Sequence, residues 1–395
     1  MEQHVPEPLR LGVIGLGRAF TLMLPTLSRH PLVRLAAAFD PRADARARFA
    51  EEFGANAHDT AEELCADDSI QAVYIASPHQ FHVEHVKLAA KHRKHILVEK
   101  PMAITVPECR DMIAAAHHAG VHLLVGHSHS FDQPYLRTRE LIDSGRYGRV
   151  TMVNALNFTD FLYRPRRPEE FDTRQGGGVV FSQGAHQVDV MRLLMGAKAQ
   201  SVRALTGQWD PKRPTEGAFN AQVVFEGGAF ASLTYSGYGH YDTDELSDWV
   251  GEFGQQRGPD SHGTGRALLK TLNSPEEEIR LKNRRVYGPT GTDAFLPETS
   301  PAHNHFGFVV VSCERADLRP TPRGIFVYGD KARHFEPLEK PAVPRAEVVD
   351  ELYAAAVLGK PPLHSGEWGL ATLEICLGIL QSAGQSAEIR LHHQI

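Results

Sequence analysis

A doubly wound, parallel α/β domain followed by a larger α+β domain with a mostly antiparallel open sheet is the architecture this sequence predicts. The chain has 395 residues, beyond the size at which one hydrophobic core usually stops growing, so two domains are expected. Up to about residue 130 short apolar runs alternate with helix-like segments, the mark of right-handed strand–helix–strand crossovers. From 131 to 395 strand candidates dominate, with the alternation expected of a sheet open on one face.

Residues 11–14, 33–39, 72–76, 95–98 and 122–125 are brief, continuous and rich in Val, Ile, Leu or Ala, as strands covered on both faces should be. Helices are expected over 20–28, 43–53, 81–91 and 107–119. Past residue 130, a helix over 135–144 leads through Gly145 and Gly148 into an alternating strand at 150–158. Further strands are expected at 201–207, 219–225, 229–235, 306–313 and 324–328. The stretch 239–305 is polar and rich in Gly, Pro and charge, and reads as an insertion that covers a site or forms an inter-subunit arm. A last helix over 368–382 is expected to pack back on the body of the protein.

Apolar residues make up 42% and charged residues 23%, a normal globular balance. The net charge of -6 is spread along the chain, which argues against nucleic acid or anionic membrane as a partner. Cys65, Cys109, Cys313 and Cys376 lie far apart with no CxxC pair, so reduced thiols are expected rather than disulfides or a zinc site. The polar first residues lack the layout of a signal peptide, and no apolar run approaches the ~20 residues needed to cross a bilayer. A soluble, cytoplasmic protein is expected.

Gly15-Leu-Gly17-Arg18-Ala19-Phe20 follows the first strand and opens a helix. Gly15 would make the tight turn and Gly17 would let the backbone approach a pyrophosphate at the helix N-terminus. Phe20 stands where the third glycine of a dinucleotide fingerprint belongs, so helix and strand must pack by another route. Asp40 ends the second strand, where an acidic side chain accepts from a ribose 2′-hydroxyl; it favours NAD, and Arg42 leaves NADP open. Ser77-Pro78 with His82, and Glu99-Lys100-Pro101, each follow a strand of the parallel sheet, and ligands bind at such carboxyl ends. In Gly176-Gly177-Gly178 three glycines allow a close approach to a ligand, and Ser182, His186 and Asp189 follow at helical spacing.

Taken in this order, the glycine turn, Asp40, the Ser-Pro-x-x-x-His element ending at His82, Glu99-Lys100-Pro101 and the triple glycine with Gly184-x-His186 resemble the glucose–fructose oxidoreductase/inositol dehydrogenase (Gfo/Idh/MocA) family over nearly the whole chain. The resemblance implies an NAD(P)-binding Rossmann domain at 1–130. An α+β substrate-binding and oligomerisation domain follows at 131–395, its open sheet face making homodimers or homotetramers. It also implies Lys100 and His186 as the catalytic pair. Ser182 occupies the position of the family's catalytic aspartate, which speaks against the polyol-oxidising branch. Residues 15–25, 242–252 and 306–320 are similar to the phthalate cis-dihydrodiol dehydrogenase branch, which implies a carboxylated cyclohexadiene cis-diol oxidised to the aromatic catechol.

On that resemblance His186 is the first candidate base, with Lys100 hydrogen-bonding the developing alkoxide or acting as base itself. Cofactor contacts are expected from Gly15, Gly17, Arg18, Ala19, Phe20, Asp40, Arg42, Ser77, Pro78, His82, Glu99 and Lys100. Substrate contacts are expected from His127, Ser182, Gln183, Asp189 and at least one of the clustered Arg164, Arg166, Arg167 and Arg174, since a carboxylate needs a guanidinium. No metal is expected, because hydride transfer needs none. Competing readings are a sugar or inositol dehydrogenase, a redox-neutral NAD-dependent glycosidase, and a non-catalytic dinucleotide-binding regulator.

Overall fold

The computed structural model describes residues 7–126, 128–288 and 300–395. The chain forms two compact units, one of residues 1–127, 282–298 and 343–370 and one of residues 128–281, 299–342 and 371–395. The single boundary expected near residue 130 is therefore redrawn, because two later stretches join the first unit. The reason is local: Thr26 Oγ1 donates to Pro344 O (2.6 Å) and Arg345 Nη1 to Leu22 O (2.9 Å), while Arg42 and Arg48 donate to Tyr287 O (2.8 Å) and Gly288 O (2.6 Å).

The first unit runs β1 (Leu9–Ile14), α1 (Arg18–Leu27), β2 (Val33–Phe39), α2 (Ala43–Phe53), β3 (Asn56–Ala57), α3 (Ala61–Ala66), β4 (Ala72–Ile75), α4 (His82–Lys91), β5 (His95–Val98), α5 (Val106–Ala119) and β6 (Leu123–Val125). Its strands form one parallel sheet in the order β3-β2-β1-β4-β5-β6, the doubly wound dinucleotide-binding order. The continuous apolar runs are buried on both faces: all four residues of β4 are buried, as are Ile96, Leu97 and Val98 of β5. Helices begin where the sequence supplies a cap, as at Thr60/Glu63 and Thr105/Glu108, two capping boxes that satisfy amides at the helix start. The chain order reverses between β1 and β4, so the ligand crevice opens at their carboxyl ends.

The second unit contains α6 (Gln133–Asp143), β7 (Val150–Phe158), α7 (Ala185–Met195), β8 (Ala199–Gly207), β9 (Ala218–Phe225), β10 (Phe230–Ser236), α8 (Thr264–Leu269), most of α9 (Pro275–Asn283), β11 (Phe308–Cys313), β12 (Ala316–Thr321), β13 (Gly324–Gly329) and β14 (Arg333–Pro337). With β15 (Ile389–Arg390) these strands form a nine-stranded sheet, β14-β13-β12-β11-β7-β10-β9-β8-β15. All its pairs are antiparallel except β7 with β10. Every residue of α7 is buried, so this helix lies inside the unit, and a π turn at Val180–Gly184 leads into it. Helices α10 (Ala346–Ala356) and α11 (Gly366–Gln385) complete the chain. Within 239–305 the chain forms the two short helices α8 and α9, and residues 289–299 of that insertion lie outside the described residues.

Candidate active site

In the first unit the site is mostly main chain. Gly15 has φ +95, and a Cβ there would stand 2.7 Å from Ser77 N and 2.9 Å from Ala76 O. Only glycine lets the turn after β1 lie this close to the turn after β4. At Gly17 the nearest atom to a built Cβ is Ala76 O at 3.9 Å, so the N-terminus of α1 is left open, and this cradle fits a pyrophosphate. Ala19 is half-buried beside it. Phe20 corrects an expectation: it is fully buried against Phe49 (ring centroids 5.8 Å) and Tyr287 (5.3 Å, edge-on), so its ring supports α1 from behind. That aromatic wedge is the other packing route that the missing glycine demanded.

Asp40 ends β2 as expected, but its carboxylate is already engaged. It accepts from Leu16 N (2.7 Å), Arg42 N (3.0 Å), Arg42 Nε (2.9 Å) and Arg42 Nη2 (3.2 Å), and is only 5% exposed. It thus fixes the glycine turn. Arg18 reaches Arg285 O at 3.5 Å. His82 is a strut: Nε2 lies 3.0 Å from Ser77 O, and Nδ1 lies 3.2 Å from both Pro101 O and Met102 O. Burial pulls its pKa down to about 4, against these carbonyls, so it is neutral at pH 7 and joins the turn containing Pro78 to the turn after Lys100. The Ser77 hydroxyl pairs with His85 Nδ1 (2.9 Å). Glu99 is buried and accepts from Tyr74 OH (2.5 Å), so it braces the carboxyl end of β5, where Lys100 is half-buried ahead of a cis bond to Pro101.

In the second unit the site is mostly side chain. His186, on α7 and 4% exposed, has Nδ1 3.4 Å from Ser128 Oγ. Its ring meets His129 edge-on at 4.8 Å and lies 5.3 Å from Phe306. His129 is fully buried between two carboxylates, Nδ1 2.6 Å from Asp132 Oδ2 and Nε2 3.3 Å from Glu252 Oε1. Burial lowers its pKa, but Asp132 and Glu252 outweigh burial and the net shift is upward. An imidazole whose protonated form is favoured by two carboxylates is thereby held beside His186. Gln183 Oε1 accepts from Tyr235 OH (3.4 Å), which also pairs with Thr159 Oγ1 (2.9 Å).

Several expected substrate contacts are turned elsewhere. Asp189 does share a face with His186 toward the 128–130 stretch, but it is buried and accepts from Ser130 Oγ and from Thr372 Oγ1 (2.9 Å), so it holds the scaffold. Ser182, in the π turn, donates back to Gly178 O. The triple glycine makes room for protein: a Cβ on Gly178 would stand 2.0 Å from Glu216 Oε1, and one on Gly177 would stand 2.7 Å from Glu170 O. Buried Glu216 accepts there from Val180 N (3.2 Å) and Thr215 Oγ1 (3.0 Å).

Arg174 is 90% exposed and paired at 3.1 Å with Asp172, so it lies on the surface. Arg166 is committed to Glu170 (3.0 Å), Phe161 O (3.1 Å) and the Phe161 ring, while Arg167 N donates to Glu170 Oε2 (2.8 Å). Arg164 reaches the His129 network, with Nη1 3.9 Å from Glu252 Oε2 and Nε 3.5 Å from Asp160 Oδ1. His127 lies outside the described residues. The contributions of Ser128, Asp132, Tyr235, Glu252 and Phe306 were missed; the one local signal was the position of 128–132 just past the last parallel strand. Among the described residues no group of three or more His, Cys, Asp or Glu is placed to hold a metal, and no helix is long and apolar enough to cross a membrane.

Both halves match known protein families in order. Residues 9–127 match the oxidoreductase family with an NAD-binding Rossmann fold, and residues 135–254 match the GFO/IDH/MocA C-terminal domain. The chain is 46% identical over 374 residues, 94% of each chain, to 1-carboxy-3-chloro-3,4-dihydroxycyclohexa-1,5-diene dehydrogenase of Comamonas testosteroni. A crystal structure from Bordetella bronchiseptica RB50 superposes with a TM-score of 0.91 at 42% identity, covering 97% of this chain and 100% of that one. The WlbA dehydrogenase of Bordetella pertussis, solved with NADH and UDP-GlcNAcA, shares the fold at 20% identity (TM-score 0.67, covering 98% of this chain and 99% of that one). With the glycine cradle, the engaged Asp40 and these matches along nearly its whole length, the protein belongs to the GFO/IDH/MocA family of NAD-binding oxidoreductases.

Proposed function

We propose that this oxidoreductase converts a carboxylated cyclohexadiene cis-diol to the aromatic catechol. The observation that carries the reading is the 46% identity, over 94% of both chains, to a dehydrogenase whose name puts one carboxyl and two hydroxyls on a cyclohexadiene ring. NAD held at the Gly15–Gly17 cradle would supply the acceptor for the hydride of the carbinol carbon. His186 takes the proton of that carbon's hydroxyl, oriented by Ser128. His129 beside it, its protonated form favoured by Asp132 and Glu252, is placed to stabilise negative charge building on the oxygen. Lys100, at the carboxyl end of β5, is proposed to hydrogen-bond the same oxygen or to act as base in its place. The ketone formed then moves a ring proton to its oxygen and becomes aromatic, which favours oxidation.

Arg164 is the proposed carboxylate anchor. Its ion-pair distances of 3.5 and 3.9 Å are long, and its side chain is 34% exposed, so it can turn to a ligand. The test is NADH formation with cis-dihydrodiols bearing no, one or two carboxylates, beside inositol and glucose. NADH and catechol in equal amounts from the carboxylated diols alone is the expected result. Turnover of polyols only contradicts it, and tight NADH binding without net reduction of NAD with any of them brings the glycosidase and regulator readings forward.

A homodimer or homotetramer remains part of the proposal, supported by the exposed Leu205, Phe230, Tyr328 and Phe335 on the nine-stranded sheet. The free thiols of Cys65, Cys109, Cys313 and Cys376 suit the reducing cytoplasm.

A further inference from the structure

Three arginines at the ribose end of the first unit's crevice, Arg18 after the glycine turn, Arg42 after β2 and Arg48 on α2, all donate to main-chain carbonyls of one short stretch. Their acceptors are Arg285 O (3.5 Å), Tyr287 O (2.8 Å) and Gly288 O (2.6 Å), within the insertion. Tyr287 anchors that stretch. It is 3% exposed, its ring meets Phe20 and Phe49 edge-on (5.3 and 6.3 Å), its hydroxyl donates to Glu52 Oε2 (2.7 Å), and Arg48 lies over its face (4.8 Å). Gly288 has φ +147, and a Cβ there would stand 3.3 Å from Arg42 Nη1.

The consequence falls on Arg42. A guanidinium has five N–H donors. In Arg42, Nε donates to Asp40 Oδ1, Nη2 to Asp40 Oδ2 and Leu16 O, and Nη1 to Tyr287 O. A neutral ribose 2′-hydroxyl can share this arrangement through the remaining Nη1 donor. A 2′-phosphate cannot: it meets the buried Asp40 carboxylate and a guanidinium already committed to that carboxylate and to two carbonyls.

We propose that residues 285–288 are a cofactor-specificity element, which holds Arg42 onto Asp40 so that the first unit takes NAD and refuses NADP. The inference rests on the NAD-binding reading of this unit and adds the determinant from the insertion. Tyr287 and Gly288 act here as positioning residues.

The test is a fluorescence titration of wild type, Tyr287→Gly and Gly288→Ala with NADH and with NADPH. Gly288→Ala is the milder probe, since it keeps the Tyr287 packing. Wild type should bind NADH at least about tenfold more tightly than NADPH, the worth of one charge-assisted phosphate contact. Both variants should shrink that ratio, with NADPH binding tightened, and adding Arg42→Leu to either should abolish the gain. A wild type that binds NADPH as tightly as NADH overturns the inference. So does an equal weakening of both cofactors in both variants, which marks the stretch as packing only. Wild type that binds neither nucleotide overturns the cofactor reading itself, a distinct result.

Discussion

The candidate site is mostly main chain in the first unit and mostly side chain in the second. Around Gly15 the contacts that matter are an amide and a carbonyl from the turn after β4, Ser77 N and Ala76 O, and the helix N-terminus left open at Gly17. Around His186 they are Ser128, His129, Asp132, Glu252 and Phe306, drawn from three places more than 100 residues apart at the extremes. The glycines divide in the same way: Gly17 leaves room for a ligand, whereas Gly178 leaves room for the protein's own Glu216. A glycine-rich segment therefore signals close approach without saying what approaches, and only the neighbouring atoms decide.

The largest effect that sharpens this contrast is expected at Lys100. If it hydrogen-bonds the reacting oxygen, Lys100→Met lowers kcat by ~10²–10⁴-fold while NADH affinity, measured by fluorescence, stays within a few-fold. The two glycines should then fail differently. Gly178→Ala drives a Cβ into Glu216 and costs about 3 kcal/mol, read as a fall in Tm. Gly17→Ala leaves Tm nearly unchanged and weakens NADH binding, because its Cβ meets only the ligand's space. If Gly17→Ala instead lowers Tm as much as Gly178→Ala, the distinction between the two units is lost.

Two of the buried histidines, His82 and His129, should respond oppositely to pH. His82 has a folded-state pKa of about 4, below the ordinary 6.5, so the unfolded chain takes the proton first. Stability should be full above about pH 6.5 and fall as pH drops toward 4, and His82→Gln should flatten that acid limb in a Tm-against-pH series. His129 is shifted upward, so its ion pairs stabilise fully below about pH 6.5 and less as pH rises through its folded value. The Tm penalty of His129→Gln should shrink on the alkaline side. The smallest pair of effects separates the arginines: Arg164→Met should raise KM for a carboxylated diol by about tenfold, whereas Arg174→Ala should leave it unchanged.

The fold was legible because its strands are continuous or alternating apolar runs: β2, β5, β7 and α2 lie where periodicity places them, residue for residue. Strands β12 and β14 were not, since Ala316–Thr321 carries charges and a proline and Arg333–Pro337 is largely exposed. The cofactor turn was legible for the same local reason that the motif is short. His186 could be found from its place after the glycines, but its partners could not. Glu252 and Phe306 flank the His129–His186 pair only because the sheet and insertion bring them there. Asp189 and Arg174 were misread because a polar residue's spacing does not reveal the partner that already holds it.

The central claim is that His186 moves the proton, and its most direct test is His186→Ala assayed with NAD and a carboxylated cyclohexadiene cis-diol, with added imidazole. The account predicts unchanged NADH binding, a ~10²–10⁴-fold lower oxidation rate, and partial recovery with imidazole in proportion to its neutral form. A variant that oxidises the diol at the wild-type rate, with the wild-type pH profile, would contradict it.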